Sequence, residues 1–204
     1  VSYWDACRFT NWLHNGQENG DTETGAYTLN NYNGSDGRTI QRNADWKWAI
    51  PTEDEWYKAA YHKNDGATGN YWDYPTSSDQ PPGKDPLDPL PGNNANWGHD
   101  TIGPPYYRTI VGQFENSASP YGTFDQGGNV YEWNEGVIGD SRCIRGGSFD
   151  NTVVYALHAA DRADYFVPSY EFYSIGFRVV EVPEPGTMTM LALGGLALIR
   201  RKRR

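Results

Sequence analysis

The chain has 204 residues, a formal net charge of −9, 37% hydrophobic and 15% aromatic residues. That length suits one globular domain plus a tail. Five of the 17 basic residues sit at positions 200–204, which leaves an acidic body and argues against a nucleic-acid surface.

In chain order, Ser2 with Asp5 predicts the start of a first helix, with Ala6, Phe9 and Leu13 on one face and Asn15-Gly16 as its stop. Residues 15–45 are rich in Asn, Gly, Thr and Asp. Short strands at 26–29 and 38–41 around the turn at 33–37 are expected there, or else an irregular loop. Pro51-Thr52-Glu53-Asp54-Glu55-Trp56 predicts a second helix capped by Thr52, with Glu55 closing a capping box and Trp56, Ala59 and Ala60 facing inward. Capping and the helix dipole account for its acid cluster better than a catalytic carboxylate pair does. Residues 63–105 read as loop, with 81–91 an extended excursion. Short strands are expected at 109–111, 143–145 and 177–180, and no repeat or linker precedes Glu181.

The counts of 23 Gly and 13 Pro fit a loop-rich fold. Cys7 and Cys143 are too far apart in sequence to define a zinc site; one disulfide or two buried thiols both remain open. His14, His62, His99 and His158 show no metal-ligand spacing. The chain opens on Val1 inside a motif, so a fragment or processed form is expected.

Four stretches carry a resemblance. They are Val1-Ser2-Tyr3-Trp4-Asp5-Ala6 with Phe9 and Trp12, Ile50 to Trp56, Gly127-Gly128-Asn129-Val130-Tyr131-Glu132-Trp133, and Arg145-Gly146-Gly147-Ser148-Phe149 closed by Ile175-Gly176-Phe177-Arg178. Together they resemble the sulfatase-modifying-factor domain, the family of the formylglycine-generating enzyme. The resemblance implies an α+β, C-type-lectin-like, loop-rich domain over residues 1–180, truncated at its N-terminus, with two helices and short twisted strands. It implies a structural calcium ion held by the carbonyls of Gly127, Gly128 and Val130 and by Glu132, and a second at Asn96, the Trp97 carbonyl and Asp100; hard oxygen donors suit that ion. Hydrogen-bonded turns would explain the same residues. Trp133 and Ser148 match positions lining the family's peptide groove, although Trp133 fits a core and Ser148 a turn equally well. Arg145, Arg162 and Arg178 match the family's arginines and are expected to pair with Asp or Glu.

The family's oxidase needs two thiols close together after the Gly-Gly-Ser turn. Here Asn151 and a position within 154–156 stand in that region, and no cysteine follows Ser148. No catalytic residue is therefore assigned and copper is not expected. Cys143 precedes the turn and has no neighbouring thiol in sequence.

The end reads Val182-Pro183-Glu184-Pro185, an apolar run from Met188 to Ile199, and the basic cluster. This order resembles the PEP-CTERM sorting signal of Gram-negative bacteria, over 181–204. The run falls short of the ~20 residues of a standard membrane span. The resemblance implies export, transient contact with the inner membrane and a sorting protease of the exosortase type, then a place at the cell surface or outside it. The expected function is a non-oxidase surface or matrix module binding a peptide or glycan. The alternatives are an altered formylglycine-generating oxidoreductase and a purely structural surface protein.

Overall fold

The computed structural model describes residues 1–182, except for the side chains of Asp164 and Tyr165. From Pro183 on, the expected sorting signal lies outside the described residues.

Helix α1 spans Tyr3–His14 and opens on the expected capping box. The Asp5 N–H donates to Ser2 Oγ at 3.1 Å and the Ser2 N–H donates to Asp5 Oδ2 at 3.2 Å. Two otherwise orphaned first-turn donors are thereby satisfied. The buried face is Tyr3, Trp4, Ala6, Cys7, Thr10 and Asn11, whereas Phe9 is 42% exposed. The expected Ala6–Phe9–Leu13 stripe is therefore displaced around the helix. Asn11 goes inside because its Oδ1 accepts the Tyr27 N–H at 2.8 Å and its Nδ2 donates to the Tyr27 carbonyl at 3.0 Å.

That bond also explains why no strand forms at 26–29. Tyr27 spends its main-chain groups on a side chain, and the links to the chain after the second expected strand are an isolated Tyr27–Arg42 bridge and bonds from Asn43 to Ala26 and Thr28. The 26–45 stretch is the irregular alternative, and it buries Ala26, Tyr27 and Leu29.

Helix α2 spans Glu53–Tyr61. Its capping box is the predicted one, with Glu55 N–H to Thr52 Oγ1 at 3.1 Å and Thr52 N–H to Glu55 Oε2 at 2.7 Å. Trp56, Ala60 and Tyr61 are buried, and Ala59 is only partly so.

The strands are β1 (Trp48–Ala49), β2 (Tyr131–Ile138), β3 (Ser141–Arg145), β4 (Ala163–Phe166), β5 (Ile175–Phe177) and β6 (Val180–Glu181). One sheet runs β4-β3-β2-β5, and a second pairs β1 with β6. β2 and β3 form an antiparallel hairpin, while β5 lies parallel to β2 with Glu132 opposite Gly176. The α+β arrangement of two helices, short strands and long loops is the expected C-type-lectin-like one. The strand expected at 109–111 is irregular chain that leads into a turn at Val111, since the Thr109 N–H goes to Asn129 Oδ1 at 3.1 Å. The one expected at 177–180 divides between β5 and β6.

The main core packs α1 through Tyr3, Trp4, Ala6 and Cys7 with Trp133, Ile144, Ala163 and Ile175 of the sheet. Tyr3 meets Trp4 and Trp133 edge-on, with ring centroids 5.2 and 6.0 Å apart. Burial of each such large side chain stabilises the fold by about 1.5–3 kcal/mol.

Candidate functional site

The site grows from the end of the β2–β3 hairpin. Gly146 and Gly147 follow β3 with φ of 93° and 69°. A Cβ at Gly146 would run into the Gln126 carbonyl, and one at Gly147 would lie 2.7 Å from Leu157 Cδ1. Only glycine combines that backbone with that closeness. The turn then locks onto the loop before β2: Gly128 N–H donates to Gly146 O at 2.8 Å, and Phe149 N–H donates to Asn129 O at 3.0 Å. Asn129 also donates its N–H to Asn96 O at 2.8 Å. The two recognisable motifs thus form one hydrogen-bonded unit, with Asn129 bracing it.

Ser148 is fully buried in this unit. Its N–H and Oγ donate to Asn151 Oδ1 at 2.7 and 3.2 Å, and its Oγ accepts the Asp150 N–H at 3.2 Å. Asn151 Nδ2 reaches Tyr131 Oη at 3.0 Å. Beside Asn151 opens a groove of about 310 Å³ lined by Tyr131, Asn151–Val153, Tyr155, Ala156 and Asp161–Ala163. Val153 and Tyr155 are 63% and 51% exposed at its edge.

The groove's far wall is held by an acid–base cluster. Arg145 Nη2 and Nε donate to Glu53 Oε1 at 2.6 and 2.9 Å, and its Nη1 donates to the carbonyls of Ala159 and Asp161 at 3.2 and 2.7 Å. Arg162 Nη1 reaches Glu53 Oε2 at 3.2 Å. Burial pushes the Asp161 carboxyl above its ordinary value, opposed by Arg145. The third expected arginine, Arg178, grips Glu132 with bonds of 2.5 and 2.7 Å, and Trp56 Nε1 adds a third at 2.6 Å. All three arginines are paired with carboxylates, as expected from sequence.

The predicted ligand-contacting pair fares differently. Trp133 has no exposed surface; it belongs to the main core, and its Nε1 donates to the Val1 carbonyl at 3.1 Å. Ser148 is sealed beneath Asn151. Neither edges the groove, and the residues that do include Tyr131, Asn151, Tyr155 and Arg162. The available pointer was Asn151 itself, standing where the family's enzymes are expected to carry a thiol.

The calcium donors can be compared with this geometry. Both Glu132 oxygens are occupied by Arg178, and Asp100 accepts Lys84 Nζ at 2.7 Å. The Trp97 carbonyl accepts Thr101 Oγ1 at 2.7 Å, and Asn96 Nδ2 donates to Tyr107 O at 2.8 Å. The two carboxylates of the expected sets already hold protein cations. What remains at Gly127, Gly128, Val130 and Asn96 is neutral oxygen, so a calcium ion there would have to share the carboxylates of Glu132 and Asp100 with Arg178 and Lys84.

Neither cysteine lines the groove, and neither is in a disulfide. Both are buried, and burial pushes the Cys7 thiol well above its ordinary value. A thiolate is the reactive form, so both should be inert in the folded protein. A maleimide probe should label neither cysteine natively and both in denaturant; native labelling at a free-thiol rate would refute this.

A family model described as "Sulfatase-modifying factor enzyme 1-like domain" matches residues 1–182, and one for the PEP-CTERM protein-sorting motif matches residues 181–204. No curated protein matches the chain. Among solved structures, one titled "Crystal Structure of CarF" is similar at 23% identity and TM-score 0.55, over 90% of this chain and 67% of that one. Treponema denticola variable protein 1 is similar at 19% identity and TM-score 0.56, over 90% of this chain and 70% of that one. At such identities the likeness shows the fold alone.

Proposed function

The chain belongs to the family of the sulfatase-modifying factor enzyme 1-like domain, and from that premise we propose that it is an exported binding module for a peptide or glycan and that it does not act as an oxidase. Its PEP-CTERM motif indicates export and membrane-associated sorting, with processing by an exosortase at the membrane. Among the described residues no helix is long and apolar enough to cross a membrane. The finer fate is part of the proposal: transient anchoring in the inner membrane, then release to the cell surface or its surroundings.

One observation supports the reading above the others. The groove lies where the family's thiol chemistry would be sought, and its lining is Asn, Thr, Tyr, Asp and Arg with Val153, Ala156 and Ala163, without sulfur. Asn151 is tied to Ser148 and Tyr131, so its amide is oriented in advance. Thr152, Asp161 and Arg162 add donors and acceptors, and Tyr131 and Tyr155 add flat apolar faces with polar tips. Such a lining can hold a polar ligand, but it supplies no electron carrier and no nucleophile matched to a thiol substrate.

The test has two arms. Purified protein incubated with a Cys-x-Pro-x-Arg peptide, copper and oxygen should leave the peptide mass unchanged; an aldehyde product would restore the oxidase alternative. Immobilised peptide and glycan arrays should capture the protein, and Asn151→Ala should weaken that capture by about tenfold. Capture indifferent to Asn151 would leave the groove without its proposed role.

A further inference from the structure

On the other side of the 148–151 turn lies a second cleft, of about 360 Å³, lined by His99, Pro105, Tyr106, Tyr107, Arg108, Phe149 and Tyr173. It shares no lining residue with the groove at Asn151. We propose that this cleft is a separate ligand site and that it takes a pyranose unit of a neutral polysaccharide.

The lining chemistry carries the choice of ligand. Four of the seven residues are Tyr or Phe, one is His, and no Leu, Ile, Val or Met contributes. An aliphatic side chain from a peptide seats best in a pocket of branched side chains, whereas flat rings suit the C–H face of a sugar. Ring faces carry negative electrostatic potential, which attracts those polarised C–H groups. Tyr106 is 74% exposed and Tyr173 is 54% exposed. Their rings have apolar surface in water beside a concavity, the pattern of a recognition surface. Sugar hydroxyls need donors and acceptors around the ring face, and His99, Arg108 and the Tyr hydroxyls supply both kinds.

The walls are also fixed before any ligand arrives. Asp150 links two of them, with His99 Nε2 2.8 Å from its Oδ1 and Tyr173 Oη donating to its Oδ2 at 2.8 Å. The bond to Asp150 raises the Tyr173 phenol above its ordinary value and keeps it a donor. Arg108 Nη1 donates to the Tyr173 carbonyl at 2.8 Å, and the His99 N–H donates to the Phe149 carbonyl at 2.7 Å. Tyr107 stacks on Phe149 with planes 14° apart and centroids 5.8 Å apart. A held set of rings loses little freedom on binding. Arg108 is the one basic lining side chain apart from His99, and the chain as a whole carries −9. That balance favours a neutral saccharide over a polyanionic one.

The experiment is calorimetric titration of the full chain with cellotetraose, mannotetraose and chitotetraose, paired with saturation-transfer NMR on the same mixtures. At least one tetrasaccharide should bind, with its ring protons saturated from aromatic resonances. Tyr106→Ala should weaken it by about tenfold or more and Tyr106→Phe should largely restore it, because the face and not the hydroxyl does the stacking. Tyr106 is exposed enough that its loss leaves the fold intact, which a thermal melt verifies. Val153→Asp, at the exposed edge of the neighbouring groove and with no side-chain bond to the 148–151 turn, should leave this binding unchanged. Silence from all three sugars at about 10 mM, a far weaker range than typical carbohydrate sites need, overturns the proposal. So does binding that survives Tyr106→Ala but is lost in Val153→Asp, which would place the sugar in the groove and leave the binding-module reading standing.

Discussion

Glu132→Ala should lower the thermal midpoint by about 10 °C. The carboxylate lies in β2 with its side chain only 7% exposed. It accepts two bonds from Arg178 and one from Trp56 Nε1, so one residue ties β2, α2 and the segment after β5 together. Arg178 also donates to the Phe124 carbonyl at 3.0 Å. Removal of Glu132 leaves that guanidinium without its counter-charge and the indole N–H without an acceptor. Breaking such a pair costs about 3–5 kcal/mol, and each kcal/mol is about 2–4 °C for a domain of this size. Glu132→Gln keeps an acceptor for Trp56 and should fall between. Calorimetry checks both, and a drop under about 2 °C would make the pair ornamental. The same melts test the metal. If Arg178 supplies the positive charge at Glu132, moving from chelator to millimolar calcium should leave the wild-type midpoint unchanged. A clear rise with calcium would instead return Glu132, with the carbonyls of Gly127, Gly128 and Val130, to the role of a metal cradle.

The parts of this architecture that were legible in sequence are those governed by local chemistry. Ser2 with Asp5 and Thr52 with Glu55 announce helix starts because a capping box closes within three residues. The Gly146-Gly147 turn is equally local, since positive φ and close contact both demand glycine. The arginine partners were legible as a type, because buried guanidinium groups need carboxylates, but not as Glu53 and Glu132 in particular. What failed depended on distant chain. The inward face of α1 turns on Asn11 reaching Tyr27, 16 residues away. The exposed aspect of the site depends on which side of the sheet α1 covers, and that choice sends Trp133 into the core. Tyr131, two residues earlier on the same strand, partly packs on that core and also lines the groove. A motif alignment gives no information about that division, because it records which residues recur and not what packs on them.

The second large effect is expected at Glu53. Glu53→Ala should destabilise the domain by about 3–5 kcal/mol, since Arg145 is left buried without a carboxylate. Arg145 has a side chain 10% exposed, and its other bonds run only to the neutral carbonyls of Ala159 and Asp161. Glu53 lies in the first turn of α2, Arg145 ends β3 and Arg162 immediately precedes β4, so one carboxylate gathers a helix and two strands. The consequence reaches function because Asp161 and Arg162 line the groove. With Glu53 gone, Arg162 loses its bonds to that carboxylate and the wall it belongs to loses its tie to α2. Groove binding should therefore weaken in Glu53→Ala even below the temperature where the protein melts, whereas Tyr106-dependent binding in the separate cleft should not. A double-mutant cycle with Arg145→Met separates the pair from its parts: Arg145→Met in the Glu53→Ala background should cost little more or even restore stability, because no unpaired charge then remains inside. Additive losses in that cycle would mean that Glu53 acts through α2 alone, as one more acid in the first turn favoured by the helix dipole.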